Sequence, residues 1–494
     1  MIRASLGVIA LAAAGPVLAK PPIVDVPQPP TAAGAAPETV LAAPIAPQSG
    51  PPQTVHPGEA VANEWWHAFK SPGMDRLVAR ALGANSDIAV AAANLKQAHE
   101  LAAAARGVLF PQVDAGYTVE RQRVSGTLAS PLQSPTPIVF TLHTAQVNVA
   151  YSLDLFGGAA ARTRSARAAE RATLARLDGV RNIVSANVAL AVIQNAALEA
   201  QVDAARASIA SNRQILTLLR TREALGAVGK ADVVAQEAAL AAAEGSLPPL
   251  ERASRANLAA LAVLVGQAPG SDLPDLPKLE EIALPADLPL SLPSQLVAQR
   301  PDVRASAAAM EGAAADAKTA LAARLPAITL SASAGGSSLD FGSLLSQGNP
   351  FWTLIGGLTT PLFHGGALRH QHHAAEAALE GAKAGYRGVA LQAFADVSNA
   401  LTALSTDAEA LDAASRADSA ARTSLGFIQR QLELGAAGTF AVLGASATAQ
   451  AARSQLVVAK AARLSDTVGL FTALGGGQFS SAESGNPAPQ SANQ

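Results

Sequence analysis

Cysteine is absent from the 494-residue chain. This excludes disulfides, thiolate metal sites, a cysteine nucleophile and lipid attachment through an N-terminal cysteine. Aromatic residues make up only 4%, with three Trp and three Tyr. A chain so poor in large rings and so rich in alanine favours long helices packed through small side chains, because alanine has the best helix propensity. Charge of one sign is also lacking. The formal net charge is −2 and no basic block stands out, so nucleic acid has no electrostatic footprint here. Beyond the start of the chain, no segment approaches about eighteen uncharged apolar residues, so no membrane-spanning helix is expected there. A hydrophobic share of 49% is ordinary for soluble protein, which argues against a multi-span helical membrane protein.

The start of the chain has Arg3, an apolar run from Leu6 to Ala14, and a small-residue site at Val17-Leu18-Ala19. Residues 1–19 read as a secretory signal peptide cut after Ala19; the alternative is an ordinary buried N-terminal helix. Residues 20–57 are Pro/Ala-rich, a composition that predicts an extended tether.

The remainder is a tandem duplication. Asp87-Ile88 through Phe110-Pro111-Gln112-Val113 has a counterpart in Asp302-Val303 through Leu325-Pro326-Ala327-Ile328. Asp154-Leu155-Phe156-Gly157-Gly158 recurs as Pro361-Leu362-Phe363-His364-Gly365-Gly366, where a strand hands over to a helix. Leu225-Gly226-Ala227-Val228-Gly229 recurs as Leu434-Gly435-Ala436-Ala437-Gly438, and Leu264-Val265-Gly266 as Ala473-Leu474-Gly475. The first repeat covers 58–266, with strands at about 111–124 and 143–156 and a helical hairpin over 158–266. A Pro- and acid-rich linker follows over 267–293. The second repeat covers 294–475, with strands at about 326–336 and 351–363 and a hairpin over 365–475, and 476–494 read as a disordered tail.

The strands alternate as a sheet between two solvents would. Val113, Ala115, Tyr117 and Val119 oppose Asp114, Thr118 and Glu120; Ala145, Val147, Val149, Tyr151, Leu153 and Leu155 oppose Gln146, Asn148, Ser152 and Asp154. Ile328, Leu330, Ala332 and Ala334 oppose Thr329, Ser331 and Ser333, and Trp352, Leu354, Leu358 and Leu362 share a face. A soluble sandwich with one buried face explains this pattern, and so does a membrane barrel with a wet interior. Four strands cannot enclose a lumen, since the smallest membrane barrels use about eight, and an open edge in lipid costs several kcal/mol per unpaired backbone group. A barrel built from this chain therefore requires further copies, and three would supply twelve strands.

Gly158–Leu225 and Gly366–Leu434 are proline-free. Helices of that length extend roughly 100 Å at 1.5 Å per residue, far beyond the usual dozen residues or so. Leu198, Val202, Ala205, Ile209, Asn212, Leu216 and Leu219 form a heptad seam answered by Val233, Leu240, Leu247 and Leu261, which implies coiled-coil packing. The second half has a looser seam around Leu404, Ala408 and Leu411. Pro248-Pro249 is expected to kink or break the return helix. At the hairpin tips, Gly226 and Gly229, and Gly435 and Gly438, supply the backbone freedom to end a helix and reverse. Arg220, Arg222, Lys230 and Asp232 surround the first tip and Arg430 precedes the second, as solvated caps or as docking and gating charges.

Trp65-Trp66 with Phe69, Met74-Asp75-Arg76-Leu77, Tyr151 through Gly157, Leu292-Pro293-Ser294-Gln295-Leu296, Arg300-Pro301-Asp302-Val303-Arg304 and Pro361-Leu362-Phe363 before Gly365-Gly366 span about residues 60–475. With them the chain resembles the outer-membrane factors of tripartite efflux systems, in the NodT-like branch of the TolC superfamily. The resemblance implies a mainly α protomer with a β-barrel part, forming a homotrimer with a twelve-stranded barrel in outer-membrane lipid and a helical periplasmic tunnel. It implies a periplasmic adaptor protein and, through it, an inner-membrane pump as partners, with Gly226, Gly229, Gly435 and Gly438 at adaptor-facing turns. It implies a passive duct for small toxic compounds from a Gram-negative cell; a secretion duct for protein or polysaccharide is the alternative within the fold, and an adhesive coiled-coil trimer the alternative outside it. Many relatives in this branch carry a lipidated cysteine that this chain lacks, so anchoring falls to the barrel. Relatives also often place an aspartate after the second tip, where this chain reads Phe440-Ala441-Val442-Leu443-Gly444; Asp232 is the candidate substitute.

His370, His372 and His373 raise metal binding, since His370 and His373 share a helical face. No acidic or cysteine ligand is expected beside them and Arg369 adds an adverse charge, so a polar helix surface is preferred and no metal site is assigned. There is no nucleophile elbow, phosphate-binding glycine loop or metalloprotease motif, so neither catalysis nor a cofactor is expected.

Overall fold

The computed structural model describes residues 40–41, 52–59, 61–123, 139–273, 276–290, 298–346 and 348–477. The signal peptide and most of the tether and tail lie outside these residues. Each half of the chain presents a 22-residue helix, a pair of strands, a 67-residue helix and a 35-residue helix. In the first half these are α2 (Ser86–Gly107), β3 (Gln112–Arg123), β4 (Val139–Leu153), α3 (Gly158–Ala224) and α4 (Lys230–Leu264). In the second they are α5 (Pro301–Ala322), β6 (Ala327–Ser338), β7 (Pro350–Thr359), α6 (Ala367–Glu433) and α7 (Thr439–Ala473). A short α1 (Pro72–Ala84) precedes them. The two halves thus match helix for helix in length.

The chain separates into two compact units. The first, drawn from 96–172 and 306–386, holds an antiparallel sheet in the order β3-β4-β6-β7. Small residues let its helices approach: a Cβ on Gly158 would lie 2.9 Å from the Cβ of Ala322, and the Thr163 hydroxyl donates to the Ala105 carbonyl at 3.2 Å. Arg171 pairs with Glu311 across α3 and α5.

The second unit, drawn from 25–95, 173–305 and 387–494, is helical apart from a small sheet. There β2 (Gln53–Pro57) lies between β1 (Val40–Leu41) and β5 (Asp287–Leu290), antiparallel to the former and parallel to the latter. Two expectations change here. The tether gives way to ordered strand at Gln53, whose side chain is fully buried and donates to the Pro285 carbonyl and the Thr467 hydroxyl. The linker over 267–293 supplies the partner strand as well as a 3-10 turn at Leu279–Glu281. The alternation that betrays a strand is too short in either segment to register alone.

Trp65, Trp66 and Phe69 are core residues: the Trp65 ring stacks on Phe471 at 5.4 Å, and Phe69 meets the same ring edge-on at 6.2 Å. Arg300 is also structural. Its guanidinium binds Asp302 at 2.7 Å and Asp396 at 3.0 Å, and donates to the Ala473 carbonyl at 2.9 Å, closing the end of α7. Burial opposes the charge, but the hydrogen bonds and charges of Asp302 and Asp396 outweigh it and hold the Arg300 pKa above its usual value. The chain stays packed through Gly477, where a Cβ would overlap Asn63, so the tail begins no earlier than that.

The heptad seam is buried along its length, from Leu198 at 6% exposure to Leu219 at 0%. Pro248 and Pro249 do not end α4, which runs unbroken through both. Each proline forfeits one backbone hydrogen bond, and both rings are exposed, while the Ser246 hydroxyl donates to the Ala243 carbonyl at 2.7 Å. Helices on either side are long enough to hold the turn between them.

Candidate functional site

Two regions carry the chemistry. In the sheet unit, strand register settles which residues share a face. Val113 faces Val149, Ala115 faces Val147 and Tyr117 faces Ala145; Val147 faces Ala334 and Val149 faces Ala332; Ala332 faces Leu354 and Ala334 faces Trp352. Paired residues of an antiparallel ladder point the same way, so the apolar sets of all four strands fall on one side. The opposite side collects Asp114, Thr118, Glu120, Gln146, Asn148, Thr329, Ser331 and Ser333. The apolar side is uncovered: Trp352 is 79% exposed and Leu354 and Leu358 are each 69% exposed. This excludes the soluble sandwich as a description of the chain by itself, since a sandwich buries that face. Strands β3 and β7 are each paired along one edge only among the described residues.

The strand-to-helix transitions follow two designs. Gly157 (φ +73°), Gly365 (φ +59°) and Gly366 (φ +83°) take the left-handed conformation, whereas Gly158 is needed for its missing side chain against Ala322. In the first transition the Asp154 carboxylate accepts from the backbone of Ala159 at 3.0 Å and Ala160 at 2.8 Å, capping α3. Alternation alone would assign Asp154 to the polar strand face, and its spacing from the helix is the signal for the cap. The second transition has no acid at the matching place.

At the hairpin tips the two turns are nearly identical. Gly226 (φ +73°) and Gly435 (φ +77°) end α3 and α6. The next amides complete a six-to-one hydrogen bond, Ala227 to the Arg222 carbonyl and Ala436 to the Gln431 carbonyl, both at 2.8 Å. Gly229 and Gly438 are N-caps in extended backbone, with φ −83° and −86°, so only the first glycine of each pair answers to the left-handed requirement. Asp232 accepts from the Gly229 amide at 3.3 Å, which gives it a capping role.

Beneath the turns, Ile215, Leu216 and Leu219 of α3, Val233 of α4, Leu432 of α6 and Val442 of α7 form one apolar cluster joining the two hairpins. Arg222 reinforces the junction by donating to the Glu433 carbonyl at 3.1 Å. Lys230 and Arg430 are exposed and form no ion pair among the described residues. Arg220 binds Glu237 at 2.7 Å, and this is the last rung of a ladder: Arg213 binds Glu244 at 2.7 Å and Arg206 binds Glu251 at 3.1 Å. Each rung moves one heptad along both helices, so the spacing of the arginines and glutamates was the available signal for it. Between the rungs, the buried Gln236 amide donates to the Asn212 side chain at 2.9 Å, a polar pair of the kind that fixes coiled-coil register.

The histidines are spread out. The His370 and His373 rings are 6.5 Å apart, and Glu376, which sequence spacing overlooked, lies 3.7 Å from His372. No group of three ligands suited to a metal occurs among the described residues.

The chain matches the family described as outer membrane efflux protein over residues 77–267 and 292–476. It is 30% identical over 439 residues to the pyoverdine export outer membrane protein OpmQ of Pseudomonas putida, covering 88% of this chain and 92% of that one. It is also 30% identical to the toluene efflux pump outer membrane protein TtgF of Pseudomonas putida, covering 84% and 85%. Among solved structures it resembles the outer membrane protein VceC of Vibrio cholerae, with TM-score 0.77, 25% identity, and 84% of this chain against 99% of that one. The outer-membrane channel OprN shares the fold at TM-score 0.78 and 24% identity. The two-faced sheet and the long paired hairpins are therefore those of a mainly helical, TolC-like outer-membrane component of an efflux system, and the chain belongs to the outer membrane efflux protein family.

Proposed function

We propose that three copies of the chain close their sheets into a twelve-stranded barrel, and that their hairpins form a helical tunnel in the periplasm. The observation that carries this is the register, which gathers the alternating apolar sets of the four strands on one exposed face, while β3 and β7 are each paired along one edge only among the described residues. In lipid the apolar face is satisfied, and edge-to-edge pairing with further copies satisfies the backbone. The polar face, with Asp114, Glu120 and Gln146, then lines the lumen. Residues 1–19 direct export as a cleaved signal peptide, and the segment after them tethers the chain to β2.

The duct is passive and requires no catalytic step: cargo enters from an inner-membrane pump through a periplasmic adaptor that docks on the tip turns at Gly226, Gly229, Gly435 and Gly438. Named relatives export pyoverdine and toluene, and small toxic compounds are the corresponding cargo here. The tip opens when the junction between the hairpins loosens, so Arg222 acts as a latch through the Glu433 carbonyl, with Arg220, Asp232 and Arg430 setting the local field and Lys230 facing the adaptor.

Planar-bilayer recording of the purified protein tests the whole reading, with a trimer and a defined pore expected; absence of both refutes it. Arg222→Glu should raise leak conductance while leaving the trimer intact, and an unchanged leak would remove the latch.

A further inference from the structure

The sheet sorts its charges by face. Between Gln112 and Leu153 the acidic residues are Asp114 and Glu120, both on the polar face, and the cations are Arg121 and Arg123, both on the apolar one. Arg121 faces Thr141 and Arg123 faces Val139, one and two outward rungs beyond the pair Val119–His143, and both arginines are exposed. Residues 124–138 between the strands carry no charged residue, and the β6–β7 connection carries only Asp340.

The height of these residues follows from strand geometry. On the outward face of β4, His143 lies ten residues from Leu153 at the strand's other end, with the apolar Ala145, Val147, Val149 and Tyr151 between them. At about 3.4 Å per residue and a tilt of about 40°, that is roughly 26 Å of membrane depth, against an apolar band of about 25 Å for outer-membrane barrels. His143 therefore stands at the boundary. The Tyr117 hydroxyl and His143 Nδ1 share a 2.7 Å hydrogen bond, and the Phe341 ring sits edge-on to both at 5.7 and 6.2 Å. Amphipathic rings of this kind settle at headgroup level. The arginines stand just above it, at the end of the strands away from α2 and α3.

We propose that Arg121 and Arg123, over the Tyr117–His143–Phe341 platform, bind the phosphate groups of an anionic lipid in the outer leaflet. Paired guanidinium groups match phosphate oxygens bidentately, and the outward apolar face below them accepts the acyl chains. The inference rests on the barrel reading above, because it requires the apolar face to lie in lipid.

The test uses the full chain purified in mild detergent and offered diphosphorylated lipid A or phosphatidylethanolamine, with retained lipid counted by native mass spectrometry. Wild type should hold the diphosphorylated lipid at least about tenfold better, as two charge-assisted contacts allow. The double variant Arg121→Gln, Arg123→Gln should lose that preference. The variant Arg121→Lys, Arg123→Lys should keep part of it, and Glu120→Gln, on the opposite face, should keep all of it. Equal retention by wild type and the Gln variant overturns the site, as does full displacement by millimolar inorganic phosphate, which would make it a free-anion site. Trimer and pore are measured on the same samples. If both persist while lipid preference is absent, only this inference falls; if neither forms, the barrel reading falls with it.

Discussion

Replacing Gly226 by alanine should loosen the first hairpin tip, whereas changing Gly229, three residues on, to serine should tighten it. Around either position a new Cβ meets nothing within 4 Å other than the Asp232 carboxylate near Gly229, so sterics with neighbours contribute nothing at Gly226. What remains is backbone conformation. At φ +73° an alanine costs about 1–2 kcal/mol, offset by roughly 0.4–1 kcal/mol from a stiffer unfolded chain, which leaves a net loss near 1 kcal/mol. At φ −83° and ψ 157° any residue is comfortable, and a serine hydroxyl there can accept from the first free amides of α4, for a gain of a few tenths of a kcal/mol. The tip opens locally, so amide hydrogen exchange over the turn is the proper assay. Gly226→Ala should speed exchange about fivefold and Gly229→Ser should slow it about twofold, taking 1.4 kcal/mol as about a factor of ten. Gly435→Ala, at φ +77°, should repeat the first result in the second hairpin. Protection unchanged in Gly226→Ala, or lower in Gly229→Ser, would refute the division of labour between the two glycines.

Two further predictions concern the helices. Arg213→Glu should destabilise the first hairpin and Glu244→Arg, added to it, should recover the loss, with a coupling of about 0.5–1 kcal/mol in a thermal double-mutant cycle for a partly exposed pair within a ladder; additive effects would dissolve the ladder. Asp407 is held up to about 7 by burial and by the hydrogen bond and charge of Asp466, against the pull of Arg463. The folded state thus keeps a proton that the unfolded chain has released, so stability present at acid pH is lost as pH rises from about 4 through 7. Asp407→Asn should flatten the melting temperature between pH 5 and 8 and raise it by about 1–2 °C at pH 8, after discounting for partial exposure; parallel pH curves for the two proteins would refute this.

Periodic features were legible because they repeat. The two faces of β3, β4, β6 and β7 follow from alternation over eight or more residues, and the register aligns those faces across strands. The seam from Leu198 to Leu219 follows from heptads, and the turns at Gly226 and Gly435 from their duplication. Features made by a single distant contact were not legible. Gln53 is ordered by Pro285 and Thr467, more than two hundred residues away. Asn85 caps α2 through the Asp87 and Ile88 amides while its own amide donates to the Leu264 carbonyl, which only the folded chain brings near. Asp154 belonged to two patterns at once, the strand face and the helix cap, and the backbone of Ala159 and Ala160 decides for the cap. Pro248-Pro249 do not break α4, because its flanks, Val233 on one side and Leu261 on the other, are anchored independently.

The duplication has preserved what local backbone chemistry dictates and released what tertiary pairing dictates. Helix lengths agree at 22, 67 and 35 residues, and the tip glycines agree within a few degrees, because each depends only on nearby residues. The hairpin interiors have diverged. The first is pinned by Asn212 with Gln236 and by three Arg–Glu rungs on its surface. The second buries Asp418 completely, with Arg422 at 2.8 Å and Arg453 at 3.9 Å, and sets Asp407 against Asp466. An exposed ladder is screened by salt, while half-buried Asp407 has its pKa held up to about 7 by burial and by Asp466. In the trimer proposed above the two hairpins would alternate, and pillars of similar geometry would differ in what loosens them. In that proposed trimer, salt would weaken the first kind and rising pH the second, so opening would follow threefold chemistry.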